Sequence, residues 1–219
     1  MPRPLRIWVP GVVYHLTARG NNRQAIFLDD LDYQQYLLAL RQCRGEFSYR
    51  LLAFALMPNH VHLVFEAVEQ VSLSTVMQRV STVFAKYFNH RHQRVGHVYQ
   101  GRFYSNMVDN EPYLLEVTRY VHLNPYRAGL SARPEMYPWS SYGSYVAGKP
   151  DPLGLVEPGP ILSLFGPTAA EQTKRYREFV EQVLTDEHAV HNWLDRLHRQ
   201  KIIPPVRWLN RVPGALCAL

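Results

Sequence analysis

The stretch "FALMPNHVHLVFEA", Phe54 to Ala67, sets two histidines two residues apart inside an otherwise apolar run. A strand alternates its side chains, so His60 and His62 project from one face while Val61 and Leu63 project from the other. The "PN" between the two apolar halves is turn chemistry, and it joins them as an antiparallel pair. Two neutral imidazoles side by side either find separate hydrogen-bond partners or share a metal ion.

Working outward, the neighbouring segments supply the rest of an α+β pattern. "GVVYHLTARG", residues 11–20, reads as a strand closed by the Gly20-Asn21-Asn22 turn. Residues 29–47 carry Leu31, Tyr36, Leu37, Leu40 and Cys43 near helical spacing, with an aspartate cap and Gly45 as a stop. Residues 72–92 place Leu73, Val76, Val80, Val83, Phe84 and Tyr87 on one stripe behind Ser72, a long amphipathic helix. "RFYSNMVD", residues 102–109, reads as a further strand. "EPYLLEVTRYVHLNP", residues 111–125, reads as a helix opened by Pro112 and ended by Pro125.

The order β-α-β-β-α-β-α predicts an antiparallel sheet with its helices packed on one face, related to the ferredoxin-like arrangement. Residues 147–167 hold five prolines and four glycines and read as a linker. The expected organisation is therefore a domain over 1–146, the linker over 147–167, and a small basic helical C-terminal extension over 168–219.

A chain of 219 residues that is 47% hydrophobic can bury a stable core without staples. Its two cysteines, Cys43 and Cys217, form no metal-type spacing and no disulfide framework. No apolar run is long enough for a membrane span or a secretion signal, so a cytoplasmic protein is expected, with no membrane partner. A net charge of +6 favours polyanions as partners.

Tyr120 and Asn124 are four apart and share one helix face. If that helix packs beside the histidine strand, His60, His62 and the Asn124 carboxamide would surround one divalent cation, with Tyr120 one turn away. Imidazole and amide-oxygen donors with open positions suit Mg²⁺ or Mn²⁺ better than a closed zinc site. His122 points elsewhere on the helix. Such a cation beside a phenol suits phosphodiester cleavage, because it offsets charge in the transition state and aids ionisation of a group with a pKa of about 10. No carboxylate base belongs to the set, although Glu66 lies farther along the same strand face. That favours covalent strand transfer over hydrolysis.

"MPNHVHLVF", "VYQGRFYSNMVDNEPYLLEVTRYVHLNPYRAGL" and "YPWSSY" together resemble the single-tyrosine HUH transposases, in particular the REP-associated tyrosine transposases, over about residues 10–145. The resemblance implies His60 and His62 as metal ligands, Tyr120 as nucleophile and Asn124 as the polar residue that completes the metal site. It also implies a 5′-phosphotyrosine link to single-stranded DNA with release of a 3′-hydroxyl. The substrate it implies is a hairpin like those of repetitive extragenic palindromes (REP). Tyr113, seven residues before Tyr120, is the alternative nucleophile.

Basic residues interleaved with aromatics mark single-strand contacts. They occur in "RPLRIW" at residues 3–8, in "ARGNNRQ" with Arg19 and Arg23, and in "NHRHQRVGHVYQGRFY" with Arg91, Arg94, Tyr99 and Arg102. "KRYREF" and "RWLNRVPG" in the extension either add DNA surface or cap the sheet. Two other readings stay open: a catalytically silent DNA-hairpin or RNA-binding module, and a metallohydrolase using water. Both monomer and homodimer remain open as the oligomeric state.

Overall fold

The computed structural model describes residues 8–68, 72–147, 151, 153–184 and 187–200. The N-terminal "RPLRI" and the "RWLNRVPG" stretch lie outside the described residues. Four strands, β1 (Val13–Arg19), β2 (Tyr49–Met57), β3 (His60–Ala67) and β4 (Tyr104–Val108), form one antiparallel sheet in the order β2-β3-β1-β4. Helix α1 (Asp30–Glu46) joins β1 to β2, α2 (Leu73–Arg91) joins β3 to β4, and α3 (Glu111–Arg127) follows β4. This is the expected α+β class with ferredoxin-like strand order.

The caps read from sequence are in place. Asp29 accepts from the backbone N–H groups of Leu31 and Asp32, and Ser72 accepts from that of Ser74. Gly45 does not stop α1, which runs through it to Glu46. Pro125 does not end α3 either, and the helix runs on to Arg127. There the N–H groups of Ala128 and Leu130 still close on the carbonyls of Asn124 and Pro125.

Helices cover the sheet on both faces rather than on one. Leu16, Leu63 and Phe65 pack under Tyr36 and Leu40 of α1 and Val80 and Phe84 of α2. The opposite face carries Ala53, Ala55 and Val64, and a sheet whose second face is also apolar needs a second cover. That cover is α3 with α4 (Tyr142–Val146), α6 (Ala169–Glu181) and α7 (Glu187–Arg199); a short α5 (Gly159–Leu162) precedes α6. Residues 153–165 of the proline-rich stretch also pack against the body, burying Leu155 and Ile161 and pairing Arg44 with Glu157.

A buried polar chain ties the C-terminal helices to α3. His122 bonds the Tyr176 hydroxyl through Nδ1 at 2.7 Å and Ser141 Oγ through Nε2 at 2.8 Å, and Ser141 Oγ in turn accepts from the Phe54 N–H. Burial drives the His122 pKa down to about 3, so its ring is neutral and needs one donor and one acceptor. Tyr176→Phe removes one of the two. An unsatisfied buried group costs about 1–3 kcal/mol, and in a chain of this size each kcal/mol shifts Tm by about 2–4 °C. We expect Tyr176→Phe to lower Tm by at least several degrees in thermal denaturation. An unchanged Tm would show that α6 does not depend on this bond.

Candidate functional site

The register of β1 against β3 builds the site. Thr17 stands opposite His62 and Arg19 opposite His60, and all four point to the face covered by α3. His60 opens β3 directly after the Pro58-Asn59 turn, and Asn59 fixes its ring. The Asn59 amide donates to the Arg23 carbonyl at 3.2 Å, which orients the side chain so that its oxygen accepts from His60 Nδ1 at 2.6 Å. Gly20 makes this junction possible: its N–H reaches the Asn59 carbonyl, and a Cβ there would lie 2.2 Å from the Gln24 carbonyl.

His62 is held in the same way from β1. Its Nδ1 lies 3.0 Å from His15 Nε2 and 3.4 Å from Thr17 Oγ1. In both histidines, therefore, Nδ1 is engaged while Nε2 is buried with no hydrogen-bond partner. With the proton on Nδ1, each Nε2 offers a lone pair. Burial holds the pKa of His60 and of His15 down to about 3, with Arg19 adding to the effect at His60. His62 is pushed well below its ordinary value by burial and then by His60, His15, Arg19 and Arg127. All three rings are neutral at physiological pH.

Tyr120 faces this pair from α3. Its ring centroid lies 5.5 Å from that of His62, which itself stands 4.9 Å from His60. The Arg127 guanidinium sits 5.8 Å from the Tyr120 ring. Tyr120 is only 1% exposed. Burial raises the phenol's pKa, while Arg127, the Asn124 amide and Arg19 pull it back. Asn124 is also nearly buried, and its amide nitrogen finds no partner within bonding geometry. Rotating that amide would present its oxygen in the same direction.

Two buried imidazole lone pairs and a buried amide without a full set of partners fit a hard divalent cation as donors. Both rings are positioned from behind, the usual support of metal-binding histidines. Among the described residues, no group of three His, Cys, Asp or Glu gathers at metal-binding spacing. Among the described residues, Asn124 is the third donor at hand.

Of the other sequence candidates, all but Arg19 lie apart from this cluster. Tyr113 is bonded by the Asn106 amide at 3.2 Å, and its pKa is raised to about 12, chiefly by burial. Glu66 is not beside the histidines: it pairs with Arg50 at the far end of β3, where the strand runs away from the site. Arg19, read from sequence as part of an exposed DNA loop, is buried beside His60 as the last residue of β1. Arg91 is engaged by Asp29 and the buried Asp32, joining α2 to the start of α1. Arg94 bonds Gln24 and stacks on Phe88, whereas Arg23 and Arg102 are exposed and Tyr99 is half-buried. His122 does point elsewhere, into the Tyr176 and Ser141 chain. His15 and Thr17 carried no signal in the sequence, because each is brought to His62 by the pairing of β1 with β3, and the roles of Asn59 and Arg127 as neighbours of His60 and Tyr120 were missed.

A family model described as "Transposase IS200 like" matches residues 9–124. A Haemophilus influenzae protein named as a REP-associated tyrosine transposase is 22% identical over 147 residues, 63% of this chain and 83% of that one. The structure of a REP-associated tyrosine transposase bound to a REP hairpin aligns with a TM-score of 0.58. It is 21% identical and covers 67% of this chain and 86% of that one, a likeness of fold. Among the described residues, no helix is long and apolar enough to cross a membrane.

The support behind the histidines makes a measurable difference. Removing a group that orients a metal ligand costs about 10–100-fold in affinity. Asn59→Ala and His15→Phe are each expected to weaken Mn²⁺ binding by that order in isothermal titration calorimetry. Unchanged binding in both would show that neither support orients a metal ligand.

Proposed function

The chain belongs to the IS200-like transposase family, and we propose that it cleaves and rejoins single-stranded DNA beside REP-like hairpins, with Tyr120 as the covalent link. The observation that carries this reading is Tyr120 facing two neutral, buried histidines whose Nε2 atoms are both without partners. Net charge and the hairpin held by the fold relative point to the same substrate class. Mg²⁺ or Mn²⁺, when bound, would polarise a non-bridging oxygen of the scissile phosphate. His60, His62 and Asn124 are the residues proposed to hold it.

The chain's own groups supply the remainder. The Tyr120 phenol gives up its proton to solvent, a step favoured by the positive charges of Arg127 and Arg19. The phenolate oxygen bonds to phosphorus as the bond to the 3′ oxygen breaks, and that oxygen takes up a proton and leaves as a 3′-hydroxyl. A second 3′-hydroxyl attacks the 5′-phosphotyrosine in the reverse sense, rejoining strands and restoring the phenol. Because Tyr120 is so enclosed, substrate reaches its hydroxyl only when covering side chains such as Arg127 move aside. In that movement the guanidinium would exchange its present contacts for the phosphate.

A water-based hydrolase is disfavoured by the residues at hand. The two carboxylates nearest in sequence are engaged: Glu66 with Arg50, and Glu116 with Arg119, Arg196 and the Trp193 indole. Neither serves as a base at the histidines.

Incubation of the protein with a hairpin oligonucleotide and Mn²⁺, followed by intact mass spectrometry and peptide mapping, tests this directly. An adduct on Tyr120 is expected, with Tyr120→Phe abolishing both adduct and cleavage while hairpin affinity stays within a few fold. Cleavage surviving in Tyr120→Phe would rule out the covalent route. An adduct on Tyr113 would move the nucleophile. An unmodified protein that still binds the hairpin would point to a silent binding module.

A further inference from the structure

At the β2 edge of the sheet, a recess of about 500 Å³ lies between α1 and residues 135–144, within the size of small-molecule pockets. Its inner wall is Leu37 of α1 and Phe54 of β2, part of the core on the face away from Tyr120. Its outer wall is held by bonds of its own. The Leu56 N–H donates to the Trp139 carbonyl at 2.9 Å, the Ser141 N–H to the Phe54 carbonyl at 3.0 Å, and the Tyr137 hydroxyl to the Leu56 carbonyl at 2.6 Å. The Trp139 ring stacks on Tyr33 of α1 with centroids 4.7 Å apart. So braced, the two walls do not close on each other, and the recess stands open before any ligand arrives.

Its lining is apolar except for a few groups that are mostly acceptors. Leu38, Trp139 and Leu153 continue the apolar surface of Leu37 and Phe54. Asp151 and Glu135 line the same space, and among the described residues no lysine, arginine or histidine does so. Asp151 is in no ion pair with another described residue; its Oδ1 accepts from the Leu153 N–H at 3.1 Å and its Oδ2 from the Val156 N–H at 2.8 Å. These bonds fix the carboxylate and leave each oxygen a further lone pair. Glu135 meets Arg133 and Arg177 through Oε1, while its Oε2 is without a hydrogen-bond partner. In a chain of net charge +6, a recess whose charged lining is acidic selects against the anions that the chain as a whole attracts.

The occupant follows from these two properties together. An anion would meet Asp151 with no cation beside it. A neutral apolar molecule would fill the space but strip water from the carboxylate without replacing it. An ammonium on an apolar body satisfies both demands: it carries three donors and no acceptor, and Trp139 offers an aromatic surface that favours a nearby cation. We propose that this recess binds a small organic cation, an ammonium group on an aromatic or branched apolar body, at a site separate from the Tyr120 cluster. Such binding is independent of strand transfer.

Isothermal titration calorimetry on the full chain tests it with phenylbutylamine, and with phenylbutanol and phenylbutyrate as its neutral and anionic counterparts. The amine is expected to bind at least about tenfold more tightly than the alcohol, with no binding of the carboxylate detected. Asp151→Asn keeps an oxygen for the turn that follows it. It is expected to bring the amine down to the level of the alcohol, while the alcohol changes less than about twofold. A Cβ at Gly143 meets no atom within 4 Å, so Gly143→Phe enters the recess without a clash at its root. That variant is expected to abolish binding of both; should it fail to fold, Asp151→Asn decides alone. No binding of the amine to wild type, equal affinity for amine and alcohol, an equal loss of both in Asp151→Asn, or amine binding that survives in folded Gly143→Phe would each overturn the site.

Discussion

The two-residue alternation of β3 is the constraint on which everything else depends. Val61, Leu63 and Phe65 enter the core under α1 and α2, while His60, His62 and Val64 face α3. A slip of one residue would put both histidines under Phe84 and send Leu63 toward Tyr120. Burial on both faces makes such a slip costly, because three large apolar side chains and two imidazoles would exchange environments at once. The packing that stabilises the sheet is thereby the device that aims the histidines. The Pro58-Asn59 turn adds a second lock, since its carbonyl and amide groups bond the 20–27 segment as well as His60.

Much of this was legible in the sequence, because local periodicity and end signals wrote it there. Asp29 and Ser72 act as caps, the "PN" hairpin sets the β2-β3 pair, and the four-residue spacing of Tyr120 and Asn124 puts both on the site face. Less legible was whatever depends on two distant segments meeting. His15 reaches His62 across 47 positions only because β1 pairs with β3 in one register, and nothing near His15 marks it. Arg19 misled for the same reason. Its neighbours look like an exposed basic loop, yet it is the last strand residue and turns inward. Pro125 misled because the bias of the residue before proline away from the helical region is overridden here, where Asn124 stays helical and α3 runs on to Arg127.

The C-terminal helices give a similar lesson about cover. A domain drawn to end near residue 146 leaves Ala53, Ala55 and Val64 beneath α3 and α4 alone. Tyr176, Val180, Trp193 and Leu197 join that layer, and His122 of the "RYVHLNP" stretch spends both ring nitrogens on holding it. A histidine two residues from Tyr120 is thus a structural anchor, whereas His60 and His62 keep a nitrogen free. What separates the two kinds is the partner of Nε2: Ser141 in one case, none in the others.

The electrostatics of the site set what it can hold. Three neutral imidazoles and the buried Arg19 and Tyr120 meet at the site, with the half-buried Arg127 at its edge. Neutral rings leave lone pairs for a cation, and one cation among Arg19 and Arg127 is tolerable only if an anion arrives with it. A divalent ion alone would add positive charge beside the buried Arg19. A phosphodiester beside it restores the balance and draws on the same two arginines. Metal and DNA are therefore expected to bind cooperatively, each lowering the electrostatic cost of the other.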